Sequence, residues 1–270
     1  LYELYQEAST PWQWHEELFA EAARLRLPCF STPFDPTAVE FLERLSCPIY
    51  KVASFEVIDT PLLAKIAATH KPVIMSTGMA SLAEIDAAVS ILRSGGCPQL
   101  ALLSCVSRYP ADPVDMYLRN IPHLAAAFSC PTGLSDHSSG HAAACAAIAL
   151  GGCIIEKHLT LRRADGGPDA GFSMEPEEFS AMAAAVHTVA MAMRNPVAYG
   201  VKTAEAGSIG FRKSLFVVHD VPADSILGPD DVRAIRPGHG LAPVHLPQVI
   251  GRRVRQAIVR GTPLSWELLS

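Results

Sequence analysis

Residues 132–158 read TGLSDHSSGHAAACAAIALGGCIIEKH, and this stretch determines the fold. Two short runs with apolar residues, Thr132–Asp136 and Cys153–His158, enclose an alanine-rich segment of helical length, Gly140–Leu150. A strand, a helix and a second strand in this order form a βαβ unit, in which the two strands are parallel. The sequence therefore predicts an α/β protein built on a parallel sheet.

The same alternation continues upstream and downstream of this unit. Four more strands are predicted at Pro28–Thr32, Ile49–Ser54, Val73–Thr77 and Leu100–Cys105. Five more helices are predicted at Pro36–Leu45, Thr60–Thr69, Ser81–Ser94, Ile121–Phe128 and Pro176–Met193. After these units the periodicity stops and Gly and Pro turns become frequent. We predict a first domain over 1–197, a linker over 198–210 and a small β-rich domain over 211–270.

The composition excludes several classes of protein. The chain has 270 residues and a formal net charge of −5, so no overall positive field attracts nucleic acid. No apolar run reaches the length of about 18 residues that a membrane helix needs, and no signal peptide is recognised. The seven cysteines form no CxxC motif, and we interpret them as buried thiols of a cytoplasmic protein. The alternative of a catalytic Cys105 has no histidine-bearing motif to support it.

Polar residues stand at the carboxyl end of every predicted strand, where parallel barrels and open sheets carry their active sites. His137 and His158 end two successive strands, so both imidazoles can reach one divalent cation. Two neutral imidazoles with open coordination positions suit a catalytic metal, although each histidine alone is also a common hydrogen-bonded strand-end residue.

A lysine and a ring of hydroxyl groups occupy the other strand ends. Lys51 alternates with Tyr50 and Val52, which predicts that its side chain points into the barrel. A cation among hydroxyls suits a phosphate or a carboxylate. The hydroxyl residues are Ser31, Thr32, Ser54, Ser76, Thr77 and Ser135. Glu56 either orients a sugar hydroxyl or pairs with Lys51.

Two loops add charged candidates. Asp169 follows Gly166-Gly167-Pro168 and either holds substrate hydroxyls or stabilises a turn. Arg236 opens the rigid turn Arg236-Pro-Gly-His-Gly240, which is either a basic site loop or an ordinary tight turn. From Lys202 onward the chain has nine basic and six acidic residues, so its last quarter suits an anion.

Several strings carry a resemblance to a known family. They are Leu1–Tyr5, Thr10–Trp14, Phe30-Ser-Thr-Pro-Phe34, Tyr50-Lys-Val-Ala-Ser-Phe-Glu56, Ser76-Thr-Gly-Met79, Gly133-Leu-Ser-Asp-His137, Ile155-Glu-Lys-His158 and Arg236-Pro-Gly-His-Gly240. Together, over the whole chain, they resemble the sialic acid synthase family, and most closely its pseudaminic acid synthase branch. The resemblance implies a TIM (β/α)8 barrel that lacks its first two βα units and is followed by a small SAF domain.

The resemblance also implies a reaction. Members condense phosphoenolpyruvate with an N-acetylated amino sugar, using Mn²⁺ or another cation such as Co²⁺ or Mg²⁺. The Tyr-Gln-Glu-Ala segment before Trp12 and the Phe-Glu pair after Ser54 favour the pseudaminic branch. That branch implies a 2,4-diacetamido-2,4,6-trideoxy hexose as substrate, with pseudaminic acid and phosphate as products. Sialic and legionaminic acid precursors remain alternatives.

The resemblance assigns roles to matching residues. His137 and His158 are the implied metal ligands, and both are catalytic together with Lys51 and Glu56. The implied substrate-binding residues are Thr32, Ser54, Ser76, Ser107, Tyr109, Ser135, Asp169 and Arg236. Members are homodimers whose SAF domain covers the barrel of the partner, so Arg236 is expected to reach the substrate of the other subunit.

The chain departs from the family pattern in two ways. The strand with a catalytic Glu and an Asn-His pair, and the strand with a Lys-x-Gln contact, are not found, so we expect a weakly active or inactive fragment. Ser107 stands where the family has an asparagine-like residue. A non-catalytic anion- or sugar-binding remnant and a metal aldolase are the alternatives from other functional classes.

Overall fold

The computed structural model describes residues 9–270, so the Leu1–Tyr5 string lies outside the described residues. Contacts divide the chain into two compact units, Leu1–Asn195 and Pro196–Ser270. Each unit is described by itself. No helix in the described part is long and apolar enough to cross a membrane.

The first unit contains a five-stranded parallel sheet. Its strands are β1 (Tyr50–Val52), β2 (Val73–Ser76), β3 (Leu100–Cys105), β4 (Thr132–Asp136) and β5 (Ile154–Lys157). They lie side by side in sequence order, and every neighbouring pair is parallel. Parallel neighbours in sequence order, each joined by a helix, are the arrangement of a (β/α)8 barrel, here with five of its strands.

The predicted strand at Pro28–Thr32 is wrong as a full strand. Only one bridge forms there, between Ser31 and Tyr50, and the Lys51 amide donates to the Ser31 carbonyl at 3.2 Å. Pro28 and Pro33 flank this bridge, and a proline has no N–H to extend a ladder. The segment still lies beside β1, so Thr32 is placed at the same edge as the other strand ends.

Helices connect the strands at the predicted places, with ends shifted by a few residues. They are α1 (His15–Arg24), α2 (Pro36–Arg44), α3 (Thr60–Ala67), α4 (Leu82–Ser94), α5 (Asn120–Phe128), α6 (Ala142–Ala149) and α7 (Pro176–Met193). Helix α1 was not predicted, because no strand precedes it. Ser81 and Glu84 form a reciprocal capping box at α4, which explains its sharp start.

The core of the first unit lies between the sheet and its helices. Alternate strand residues such as Tyr50, Val52 and Met75 pack with Leu62 and Leu92 from α3 and α4. Because strand side chains alternate between faces, the residues between them face away from this core. The opposite face carries the polar groups of the candidate site.

The second unit is small and rich in β structure. It pairs β6 (Ser214–Val217) with β7 (Val232–Ile235) in antiparallel fashion, and isolated bridges join further segments. A one-turn helix, α8 (Leu246–Val249), follows. A 3-10 helix, Thr203–Phe211, occupies most of the stretch predicted as a linker. The hydrophobic core of the second unit includes Leu215, Leu227, Val254 and Leu264.

The seven cysteines are all free, but the prediction that they are buried is wrong for most of them. Cys47 is buried, Cys153 is exposed, and the other five are partly exposed. Cys153 directly precedes β5 and is exposed, and its thiol donates to the Thr132 carbonyl at 3.4 Å.

Candidate active site

A cavity of about 400 Å³ lies at the carboxyl ends of the strands. Most of the predicted site residues meet there, although they are far apart in sequence. The lining residues are Thr32, Phe34, Lys51, Ala53, Ser54, Phe55, Ser76, Cys105, Tyr109, Ser135, His137, Glu156, Lys157 and His158. The hydroxyl of Thr77 is taken by the Leu103 carbonyl at 3.0 Å, so the prediction that it joins the ring is wrong.

Lys51 supplies a buried cation to this cavity. It is 7 % exposed, and its Nζ donates to Ser76 Oγ at 2.8 Å and to the Val52 carbonyl at 3.0 Å. Burial lowers the pKa of Lys51, and the carboxylate of Glu156 at 3.5 Å opposes that shift. The ammonium group is therefore held in one place rather than swinging freely on its stem.

Glu156 is a site residue that the sequence analysis did not select. Its Oε1 accepts a hydrogen bond from Ser135 Oγ at 2.6 Å, and its Oε2 faces Lys51. Ser135 and Glu156 are direct partners in the β4–β5 ladder. The signal was present in the sequence, because Glu156 in β5 and His158 directly after β5 are two residues apart and so share a face.

His137 and His158 meet at the mouth of the cavity, with ring centroids 5.2 Å apart. Tyr109 and Phe172 pack around them: the Tyr109 ring lies 4.3 Å from His137, and the Phe172 ring lies 5.0 Å from His158. Phe172 was not predicted, because it lies in a short 3-10 helix, Ala170–Phe172, outside the strands. The aromatic side chains limit the directions in which the two imidazoles can turn.

Hydrogen bonds and burial set the charge state of the two histidines. His137 Nδ1 lies 2.9 Å from the Val106 carbonyl, which leaves Nε2 for another partner. Burial opposes the charged form of His137, but the adjacent Cys105 thiol and the Val106 carbonyl raise its pKa overall. Burial lowers the pKa of His158, and Asp169 Oδ2, 3.4 Å from its Nδ1, opposes that shift.

The hydrogen bonding of His137 fits a metal ligand, but the two imidazoles alone do not complete the ligand set of a divalent cation. A metal-bound histidine commonly donates its second ring nitrogen to a carbonyl or carboxylate, as His137 does to Val106. Within residues 9–270, no group of three or more His, Cys, Asp or Glu side chains converges as a metal site. His137 and His158 thus suit a cation that also takes ligands from solvent or substrate.

Cys105 lies against His137, with Sγ 3.9 Å from Nδ1. Burial raises the pKa of this thiol, but the contacts with His137, Ser54 and Ser135 outweigh burial and lower it. The structure therefore supplies the histidine that the sequence alone did not associate with Cys105. The shared nitrogen also bonds to Val106, so the sulfur is its second and longer contact.

Gly78 lies close to two of the predicted hydroxyl residues, Ser54 and Ser107. The Gly78 amide donates to Ser54 Oγ at 3.0 Å. A Cβ at position 78 would lie 2.5 Å from Ser107 Oγ and 2.9 Å from Ser54 Oγ. Ser107 is partly exposed and does not line the smaller cavity, and a glycine at position 78 leaves room for both hydroxyls.

A larger cavity of about 940 Å³ also lies at the carboxyl side of the sheet. Its lining includes three exposed apolar side chains, Phe34, Phe55 and Leu159, together with Glu56 and Asp169. Glu56 makes no ion pair with Lys51, because the 3-10 turn Ser54–Ile58 directs the chain away after β1. Its Oε2 is buried without a hydrogen-bond partner in the described structure, and burial raises its pKa.

Arg236 belongs to the second unit, where it is exposed at the end of β7. The turn after it is rigid, because Ser214 Oγ donates to the Pro237 carbonyl at 2.7 Å and accepts from the Gly240 amide at 2.9 Å. A Cβ at Gly240 would lie 2.7 Å from the Leu215 carbonyl, so this position requires glycine. A role of Arg236 in a substrate site stays a prediction.

Comparison with known families assigns both units. Residues 1–198 match the NeuB family, and residues 212–270 match the SAF domain. A pseudaminic acid synthase from Helicobacter pylori is 40% identical over 266 residues, which cover 98% of this chain and 78% of that protein. An N,N'-diacetyllegionaminic acid synthase from Campylobacter jejuni is 34% identical over 88% of this chain and 72% of that protein.

Solved structures show the same architecture. An N-acetylneuraminic acid synthetase from Leptospira borgpetersenii, solved with citrate, has 31% identity and a TM-score of 0.72 over 77% of this chain and 72% of that chain. A spore coat polysaccharide biosynthesis protein E from Chromobacterium violaceum has 26% identity and a TM-score of 0.74, and the match covers 98% of this chain and 80% of that chain.

Proposed function

Because the chain belongs to the NeuB family, we propose that it is a nonulosonic acid synthase that joins phosphoenolpyruvate to an N-acetylated amino sugar. The observation that carries this proposal is the convergence of Lys51, His137 and His158 on one cavity. A fixed cation suits the anionic substrate, and the two imidazoles suit a metal that faces the second substrate.

Phosphoenolpyruvate is assigned to the smaller cavity. Lys51 and the hydroxyls of Ser54, Ser76 and Ser135 supply the donors for its phosphate and carboxylate. Glu156 already accepts a hydrogen bond from Ser135 and pairs with Lys51. An entering anion must therefore replace the Glu156 carboxylate as the partner of these two donors. Such an exchange favours a ligand with several negative oxygens over a neutral one.

The amino sugar is assigned to the larger cavity. Phe34, Phe55 and Leu159 form an apolar wall there that suits the methyl groups of a 6-deoxy sugar and of its acetamido substituents. Glu56 and Asp169 supply acceptors for hydroxyl or amide N–H groups. We therefore propose a 2,4-diacetamido-2,4,6-trideoxy hexose as the substrate and pseudaminic acid as the product, in agreement with the name of the H. pylori relative.

Mn²⁺, or another cation such as Co²⁺ or Mg²⁺, is proposed to bind His137 and His158. When bound, it polarises the aldehyde of the open-chain sugar. Lys51 and its hydroxyl neighbours orient phosphoenolpyruvate so that its C3 faces the aldehyde carbon. The new C–C bond forms between these atoms, water adds at C2, and the C2–O bond to phosphate breaks, which releases one phosphate for each sugar acid.

We also propose a cytoplasmic homodimer in which Arg236 of one protomer reaches the substrate of the other. The exposed Arg236 and its rigid turn support this proposal, as do the seven free cysteines. Mixing an Arg236→Ala protein with a His137→Gln protein tests it, because a mixed dimer keeps one intact site. Activity above that of either variant alone is expected, and its absence contradicts the shared site.

The proposed reaction is tested by phosphate release with phosphoenolpyruvate, Mn²⁺ and each of the three candidate sugars. Phosphate release by the wild-type protein, even if slow, should require both a sugar and Mn²⁺ and should be fastest with the diacetamido trideoxy sugar. His137→Gln should abolish release, whereas His187→Gln, at an exposed position of α7, should leave it unchanged. Binding of phosphoenolpyruvate without turnover under any condition indicates a non-catalytic binding module instead.

A further inference from the structure

The two residues that directly precede the site histidines form a buried ion pair with each other. Lys157 Nζ is 2.8 Å from Asp136 Oδ2, and the two side chains are 1% and 0% exposed. Asp136 precedes His137 at the end of β4, and Lys157 precedes His158 at the end of β5. We infer that Asp136 and Lys157 are positioning residues that hold the two imidazoles together; this inference rests on the proposed metal site.

The Asp136–Lys157 pair fixes the register of β4 against β5 directly before the two histidines. Asp136 and Lys157 are direct partners in the β4–β5 ladder, and this is its last pair. Successive strand side chains point to opposite faces, so an ion pair on one face directs the next residues, His137 and His158, toward the other. A slip of one residue between the strands would separate the two rings.

Further hydrogen bonds extend the pair around His137. Asp136 Oδ1 accepts from the Ser138 amide at 2.8 Å and from Ser138 Oγ at 2.7 Å. Lys157 also donates to the Ser138 carbonyl. The backbone of His137 is therefore held on both sides, and its carbonyl accepts from the Ala111 amide at 2.9 Å. For His158, the Met174 amide donates to the carbonyl at 2.9 Å.

Stability alone does not explain this pair. Taking two charges out of water carries a large desolvation cost, and apolar residues of similar volume often stabilise a core as well as a buried pair does. An ion pair with four directed hydrogen bonds offers something that apolar packing does not, which is a single geometry. The location beside both histidines indicates what that geometry serves.

The test compares wild-type protein with Asp136→Asn/Lys157→Met, which removes both charges and leaves neither one unpaired. Glu43→Gln/Lys71→Met is the matched control, because it removes an ion pair of the same unit away from the cavity. In metal-free protein with ¹³C-labelled histidine, a cross-relaxation signal should join the His137 and His158 rings in wild type and control. It should vanish in the Asp136/Lys157 variant while thermal unfolding stays cooperative.

Metal titration gives the second readout. The Kd for Mn²⁺ alone should rise by about tenfold or more in the Asp136/Lys157 variant and stay unchanged in the control. An unchanged ring signal together with an unchanged Kd overturns the inference. If wild type itself binds no Mn²⁺, the proposed metal role fails, and the ring signal still decides whether the pair positions the histidines.

A second variant keeps the test decisive if the double variant does not fold. Lys157→Arg retains the charge but moves the donors away from Asp136 and Ser138. It should weaken the His137–His158 ring signal and Mn²⁺ binding in the folded protein. A Lys157→Arg protein with wild-type values for both overturns the inference.

Discussion

Gly78 provides a test of how tightly the hydroxyl groups of the site are packed. In Gly78→Ala, the new Cβ would lie 2.5 Å from Ser107 Oγ and 2.9 Å from Ser54 Oγ, both shorter than a van der Waals contact. Overpacking of this kind costs about 1–3 kcal/mol, and weakening the 3.0 Å Gly78–Ser54 hydrogen bond costs about 1 kcal/mol more. We therefore expect the free energy of unfolding to fall by about 2–4 kcal/mol.

The substitution should affect stability and also substrate binding, because Ser54 lines the smaller cavity. Urea unfolding measures the first, and the KM for phosphoenolpyruvate, which should rise about tenfold, measures the second. Adding Ser107→Ala removes the shorter contact and should restore about half of the lost stability. Gly207→Ala, where a Cβ meets nothing within 4 Å, is the control. A Gly78→Ala protein as stable as the control would refute the packing argument.

Three further predictions concern the sugar wall, an acid titration and the thiols. Phe55→Ser should reduce the kcat/KM preference for a 6-deoxy sugar over its 6-hydroxy analogue by about tenfold, since the ring lines the larger cavity; an unchanged ratio would exclude Phe55 from sugar selection. Arg163, together with the Glu175 amide, lowers the pKa of Glu178 from 4.5 to about 2, so these contacts contribute stability above pH 4.5 that fades as the pH falls toward 2; NMR titration should show the low pKa, and Arg163→Gln should raise it toward its ordinary value. Alkylation followed by mass spectrometry should modify exposed Cys153 first and buried Cys47 last, and the reverse order would contradict the described burial.

Much of the architecture could be predicted, because hydrophobic runs and helical periodicity are local signals. The alternation of Tyr50, Lys51 and Val52 correctly placed the lysine on the face opposite the helix-side core. The predicted strand at Pro28–Thr32 failed because prolines on both sides left only one bridge. Propensity indicates where a strand can form, whereas ladder length depends on available N–H groups.

The arrangement within the site was harder to predict, because it depends on register between distant segments. Glu156 faces Ser135 and Lys51 only because β4 and β5 pair at that residue, which neither strand encodes alone. Glu56 was open between two roles, and the 3-10 turn after β1 decides against the pairing with Lys51. The sequence predicted that polar groups stand at the strand ends, but it did not predict which of these groups contact one another.

The central claim is that this protein joins phosphoenolpyruvate to an amino sugar with cleavage of the C2–O bond. The direct test incubates stoichiometric protein with Mn²⁺, the diacetamido trideoxy hexose and phosphoenolpyruvate labelled with ¹⁸O at the bridging oxygen, so that even a slow reaction yields measurable product. Mass spectrometry should find a nine-carbon sugar acid and ¹⁸O-labelled phosphate in equal amounts. Unlabelled phosphate, or consumption of phosphoenolpyruvate without a sugar acid, would contradict the proposed reaction.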